Sequence, residues 1–168
     1  MSEKASLIQR LDACSIPLSV IIRLFLGGYF IYTGVNKALA PFTFLKNIRL
    51  FEMLPETPPY FLNGTAVVLP WMEILCGIAL VLGWWMRGAA ASMVLMLCVF
   101  TPAIFIRAMT VHQTEGTPFF QIAFDCGCGT GAEIIWLKLC KNAGLLLLAI
   151  LLLFSRCRRM TLAAWLGR

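Results

Sequence analysis

AEIIWLKLCKNAGLLLLAILLLF, residues 132–154, ends in the unbroken apolar run Leu145–Phe154. At 1.5 Å rise per residue, a helix of about 20 apolar residues crosses the hydrocarbon core of a bilayer. No water is present there to satisfy backbone N–H and C=O groups, so the run must close its hydrogen bonds within itself as an α-helix. Read backwards from this stretch, the chain holds three more of similar kind: Gly88–Arg107, Asn63–Met86 and Pro17–Ala40. The expected fold is all-α, an integral membrane four-helix bundle with both termini cytoplasmic.

Composition agrees. The chain has 168 residues, 60% hydrophobic and 13% charged, against roughly 45–50% and about 25% in soluble domains. That leaves no room for a large water-soluble domain. The net charge of +6 does not point to nucleic acid, because no basic face interleaved with aromatic residues is visible. Lys4 and Arg10 precede an apolar span, and Arg156, Arg158, Arg159 and Arg168 follow one. Basic residues so placed fix orientation and touch anionic lipid, so the partner they indicate is the lipid bilayer.

The spans divide the chain. Residues 1–16 read as a cytoplasmic amphipathic segment with Leu7, Ile8, Leu11 and Ile16 along the membrane surface, and not as a cleavable signal. Residues 17–155 form the bundle, and 156–168 a basic cytoplasmic tail. Pro41–Leu62 is expected to be partly helical and then extended, given Pro55, Pro58 and Pro59. Trp85–Gly88 is a tight turn, and Ala108–Gly131 a second long loop. The excess of Lys and Arg places the termini and the Arg87 turn inside, and both long loops outside.

Seven cysteines are present. Cys76, Cys98 and Cys140 fall inside spans and Cys14 and Cys157 beside them, where a thiol ordinarily serves as a small packing residue. Cys126 and Cys128 differ. They lie in the outer loop, in Asp125-Cys126-Gly127-Cys128-Gly129-Thr130-Gly131. Cys-Gly-Cys can close a strained disulfide ring, and strained, exposed disulfides are the labile kind suited to exchange. The start of the fourth helix follows closely, and its positive end favours a thiolate. Three readings stay open for the pair: redox exchange, a structural staple, or half of a copper or zinc site with His112 and Asp125.

Two charges are buried in hydrocarbon by position. Arg23 lies in the first span and Glu73 near the middle of the second, one turn after Pro70. Each costs about 2.5–3.5 kcal/mol at mid-membrane, so each should face the bundle interior and find a partner, possibilities that include each other. The alternatives are a register-fixing ion pair, a proton path and the polar end of a quinone pocket. Asn36 and Lys37 read as snorkelling anchors or, with Lys141 and Asn142, as the lining of a site beneath the Cys126–Cys128 loop. His112, the single histidine, reads first as a solvated loop residue.

In order along the chain, Arg23, Gly27, Gly34, Lys37, Pro41, Leu54-Pro55, Pro70, Glu73, Gly77, Gly83 and Cys126-Gly127-Cys128-Gly129 resemble the DoxX/MauE family of redox-associated membrane proteins. The resemblance covers about Pro17 to Phe154. Where that family often has an aromatic residue after Cys-Gly-Cys, this chain has Gly129-Thr130-Gly131. The resemblance implies a bundle in the bacterial inner membrane with thiol–disulfide chemistry on the periplasmic side. It implies a thioredoxin-like or disulfide-containing periplasmic partner and, in the DoxX branch, coupling to quinone. The resulting expectation is a quinone-linked thiol–disulfide oxidoreductase. Cys126 and Cys128 would be catalytic, and Arg23, Lys37, Glu73 and Asn142 would line the quinone site. A non-enzymatic membrane subunit or assembly factor is the alternative, with metal binding a third reading.

Overall fold

The computed structural model describes residues 2–50, 59–125 and 131–154. The Cys126–Cys128 pair, the Pro55 segment and the basic tail 156–168 lie outside the described residues. Among the described residues there are five α-helices: α1 Ser2–Leu39, α2 Pro41–Leu50, α3 Pro59–Leu82, α4 Met86–Glu115 and α5 Ile135–Phe154. All but α2 are long and apolar enough to cross a membrane, as the sequence predicts. The amphipathic segment expected at the N-terminus is helical and continuous with the first span.

Lipid contact follows from what the bundle leaves outside. In the apolar window of each span only 22–39% of residues are buried. Ile21, Phe25, Val67, Trp71, Leu75, Leu95, Val99, Leu147 and Leu151 all face outward. In water so large an apolar surface would be an aggregation site; in a bilayer it is the ordinary exterior.

Glycine and proline decide how α1 and α3 meet. A Cβ on Gly27 would lie 2.8 Å from the Gly77 carbonyl oxygen, and one on Gly77 would lie 2.7 Å from the Gly27 carbonyl. One heptad further, a Cβ on Gly34 would lie 2.9 Å from the Pro70 carbonyl and 3.1 Å from the Glu73 Cβ. The two backbones therefore touch, the small-residue packing that holds helices together where lipid removes the hydrophobic drive. The helices run antiparallel, so rising numbers on α1 meet falling numbers on α3.

The central core joins all four spans. Leu26 and Phe30 of α1 pack with Leu80 of α3, Met93 and Leu97 of α4, and Leu145, Ala149 and Leu152 of α5. At one end α2 folds over α3 through Phe44, Ile48, Leu62 and Ala66. At the same end, strands β1 Ala123–Asp125 and β2 Ala132–Ile134 pair antiparallel, with Asp125 opposite Ala132. Ile122 and Ile135 anchor this hairpin on Ile104 and Ala108 of α4. At the other end Gly83 and Trp85 take left-handed backbone (φ 72° and 49°) to turn α3 into α4, and Trp84 and Trp85 stand exposed, as interfacial aromatics do.

Two boundaries and the placement of two cysteines depart from the sequence expectation. The third span does not stop at Arg107. α4 runs on to Glu115, its polar last turns held by Thr110 and Thr114 hydroxyls donating to the carbonyls of Ile106 and Thr110 at 3.1 and 2.9 Å. Gly116, at φ 67°, then ends it. The fourth helix starts at Ile135 and not at Ala132, because residues 132–134 pair with β1. Cys98 and Cys140 are exposed on the helix exteriors, so they face lipid and are not packed in the core.

Candidate functional site

Lys37 and Glu73 form the centre of the buried polar region. Both are about 95% buried, and the Lys37 ammonium donates to Glu73 Oε1. The glycine contacts explain the meeting. Gly34 against Pro70 and Glu73 sets the height of α1 on α3, and Lys37 lies one helical turn further. α2 then turns back at Ala40-Pro41 and brings the Phe44 ring to 5.3 Å from the ammonium, while the Phe100 ring of α4 lies at 5.7 Å. Both distances suit cation–π attraction, strengthened here by exclusion of water. The Thr33 hydroxyl stands beside the same carboxyl. Glu73 Oε2 is buried and takes no hydrogen bond among the described residues.

A cavity of about 60 Å³ adjoins the pair. Five helices line it: Thr33 and Lys37 from α1, Phe44 from α2, Glu73 from α3, Phe100 and Ile104 from α4, and Lys138 and Asn142 from α5. At ~15 Å³ for each water it has room for about four. The Asn142 amide donates to Thr101 Oγ1 at 3.3 Å, which ties α5 to α4 at this depth. Two ammonium groups and one carboxylate thus share a small enclosed space.

The expected site residues divide. Lys37, Glu73 and Asn142 come together on one cavity. Arg23 does not join them. Gly27 lies opposite Gly77, so Arg23, one turn further back, falls opposite the end of α3 and reaches Met86 Sδ at 3.8 Å. Fourteen residues separate Arg23 from Lys37, a rise of about 21 Å along α1. The pairing of Arg23 with Glu73 is therefore corrected to Lys37 with Glu73. Lys37 is no snorkelling anchor, since α2 and Phe44 cover it. Lys141 points away from the cavity and bonds Glu133 Oε1 on β2 at 2.9 Å.

Sequence reasoning missed Lys138, which is 4% exposed and lines the cavity. The signal was present: Lys138, Asn142 and Leu145 stand at i, i+4 and i+7, one face of a helix, and all three line the cavity. The cavity also adjoins the hairpin. Ile104, which lines it, packs on Ile122 and Ile135, and Ile135 N–H donates to the Ile122 carbonyl at 3.0 Å. The strands that flank residues 126–131 are therefore anchored just beyond it. His112 Nδ1 lies 2.7 Å from the Thr117 carbonyl, leaving one ring nitrogen for any other role.

Four lipid-facing helices packed around a buried ion pair define a multi-pass integral membrane protein. The family described as methylamine utilisation protein MauE matches residues 16–155, and the chain belongs to it. The match is to the MauE side of the expected resemblance. No curated protein and no solved structure matches the chain.

Proposed function

We propose that this protein is a membrane thiol–disulfide oxidoreductase of the bacterial inner membrane, working through Cys126 and Cys128 on the periplasmic side. A thiolate of a reduced periplasmic partner attacks the Cys126–Cys128 disulfide and forms a mixed disulfide. The partner's second thiol resolves it. The partner leaves oxidised, and Cys126 and Cys128 are left as thiols. Two electrons and two protons then pass to a membrane quinone, which leaves as the quinol, and the disulfide is restored.

The observation that supports this reading is the polar cavity of Lys37, Glu73, Lys138 and Asn142 in the end of the bundle that carries the hairpin. Buried ionisable residues inside a membrane span mark proton or substrate paths more often than they serve packing. The cavity has donors for a quinone carbonyl and a carboxyl able to hold a proton. At about 60 Å³ it does not enclose a whole ring. It fits the polar edge of one.

The test uses purified protein in nanodiscs with a reduced thioredoxin-like partner and a quinone. Cys126→Ser and Cys128→Ser are each expected to abolish quinone reduction, while Glu73→Gln slows it with partner exchange intact. Undiminished turnover in either cysteine variant rules the mechanism out. A membrane subunit that only docks a partner would copurify with it and tolerate both serines, and a metal site would retain copper or zinc in elemental analysis.

A further inference from the structure

A second space lies against the first. A groove of about 510 Å³ opens between α1 and α5, lined by Phe25, Tyr29, Gly144, Leu145, Leu147 and Leu148, with Cys140 and Lys141, the latter paired with Glu133, at one end. Tyr29 and Leu145 line both the groove and the polar cavity, so the two spaces meet at these side chains. The groove exists because α5 presents a glycine there. A Cβ on Gly144 would meet nothing within 4 Å.

We infer that the α1–α5 groove is the lateral entry and tail-binding site for an isoprenoid quinone drawn from the bilayer, with Tyr29 as the movable partition before the polar cavity. The inference rests on the redox reading for its choice of ligand. Size argues for it. Small-molecule sites run from about 300 to 1,000 Å³, so the groove is large enough and the cavity alone is not. Apart from Lys141, whose ammonium is taken up by Glu133 at 2.9 Å, the lining is apolar and suits a tail. Beyond the partition the cavity is lined by Lys138 and Asn142, whose N–H groups suit the carbonyl oxygens of a neutral ring.

Depth separates this occupant from a phospholipid. Asn142 lies seven residues into α5, about 10 Å along the axis from Ile135. A phosphate headgroup stays at the interface, because a charge drawn to that depth loses its water. A quinone head is uncharged and can reach it, and two carbonyl oxygens accept where the cavity donates.

The test is photolabelling of the full-length protein in nanodiscs with a quinone that carries a diazirine on its isoprenoid tail. Saturable labelling of the peptide around residues 144–148, displaced by unlabelled isoprenoid quinone, is expected. Gly144→Leu fills the groove, improves helix propensity and should fold. It is expected to weaken that labelling and raise the KM for isoprenoid quinone about tenfold, with the KM for a tailless ring unchanged. Labelling spread over all four spans, displacement by phospholipid alone, or an unchanged KM in Gly144→Leu overturns the groove. Saturable labelling without oxidation of the Cys126 and Cys128 thiols by quinone overturns the redox reading and leaves the groove standing.

Discussion

The two faces of α1 are built on opposite plans. Toward α3, Gly27 and Gly34 bring backbone against backbone, with no space even for a methyl group. Toward α5, at Gly144, the same missing side chain leaves a groove of about 510 Å³. Glycine in a membrane helix thus has two uses, and the neighbouring helix decides which. Contact locks the α1–α3 register and so fixes Lys37 on Glu73. Vacancy leaves the α1–α5 seam open to the bilayer. The bundle thus has one face that holds an ion pair still and one that leaves space beside the lipid.

The largest expected effect is on the locked face. Removing one partner of a buried ion pair leaves the other charge uncompensated, a cost of about 3–5 kcal/mol. Glu73→Ala should therefore lower the Tm of the protein in nanodiscs sharply, with Lys37→Ala close behind. The double change Lys37→Met with Glu73→Leu removes both charges and should recover most of the loss. A Tm for Glu73→Ala equal to the wild type would mean that α1 and α3 do not depend on the pair.

The glycines come next. Gly27→Ala or Gly77→Ala inserts a methyl group at 2.8 or 2.7 Å from a carbonyl oxygen. Overpacking of this kind costs about 1–3 kcal/mol. Gly144→Ala meets nothing and should be neutral or stabilising by up to about 1 kcal/mol through helix propensity. Thermal unfolding of the three variants side by side measures the contrast between the faces. Equal destabilisation by all three would show that the α1–α5 seam is closed as tightly as the other.

Much of this was legible in the sequence because a bilayer enforces it. A run such as Leu145–Phe154 has one stable solution in lipid, so the spans can be read from hydropathy alone. The burial of Glu73 is legible for the same reason. Its partner was not. Choosing Lys37 over Arg23 requires the register of α1 on α3, and that is set by backbone contact at Gly27 and Gly34, which no residue pattern on one helix reveals. Hydropathy also reports where apolar residues end and not where a helix ends, so the polar last turns of α4 past Arg107 read as loop. The three-residue strands on either side of Cys126 and Cys128 are too short to show an alternating pattern. Lys138 is legible only once it is set on the face of α5 that it shares with Asn142 and Leu145.

The smallest effect is expected at the second ion pair, and it tests the contrast between a closed interior and an open one. Lys141 bonds Glu133 at 2.9 Å across the junction of β2 and α5, but its side chain is 45% exposed. Water and salt screen such a pair, and ordering a long lysine offsets much of its attraction, so it contributes about 0–1 kcal/mol. Lys141→Gln should shift Tm by no more than a few degrees at low salt and by less at high salt, since screening has already weakened the bridge it removes. Glu73→Ala should keep its full effect at both, because no ions reach Lys37. If Lys141→Gln proved as damaging as Glu73→Ala, the hairpin would be held by this bridge and not by Ile122 and Ile135 in their apolar seat. Burial would then no longer explain why one of the two pairs matters to the bundle and the other does not.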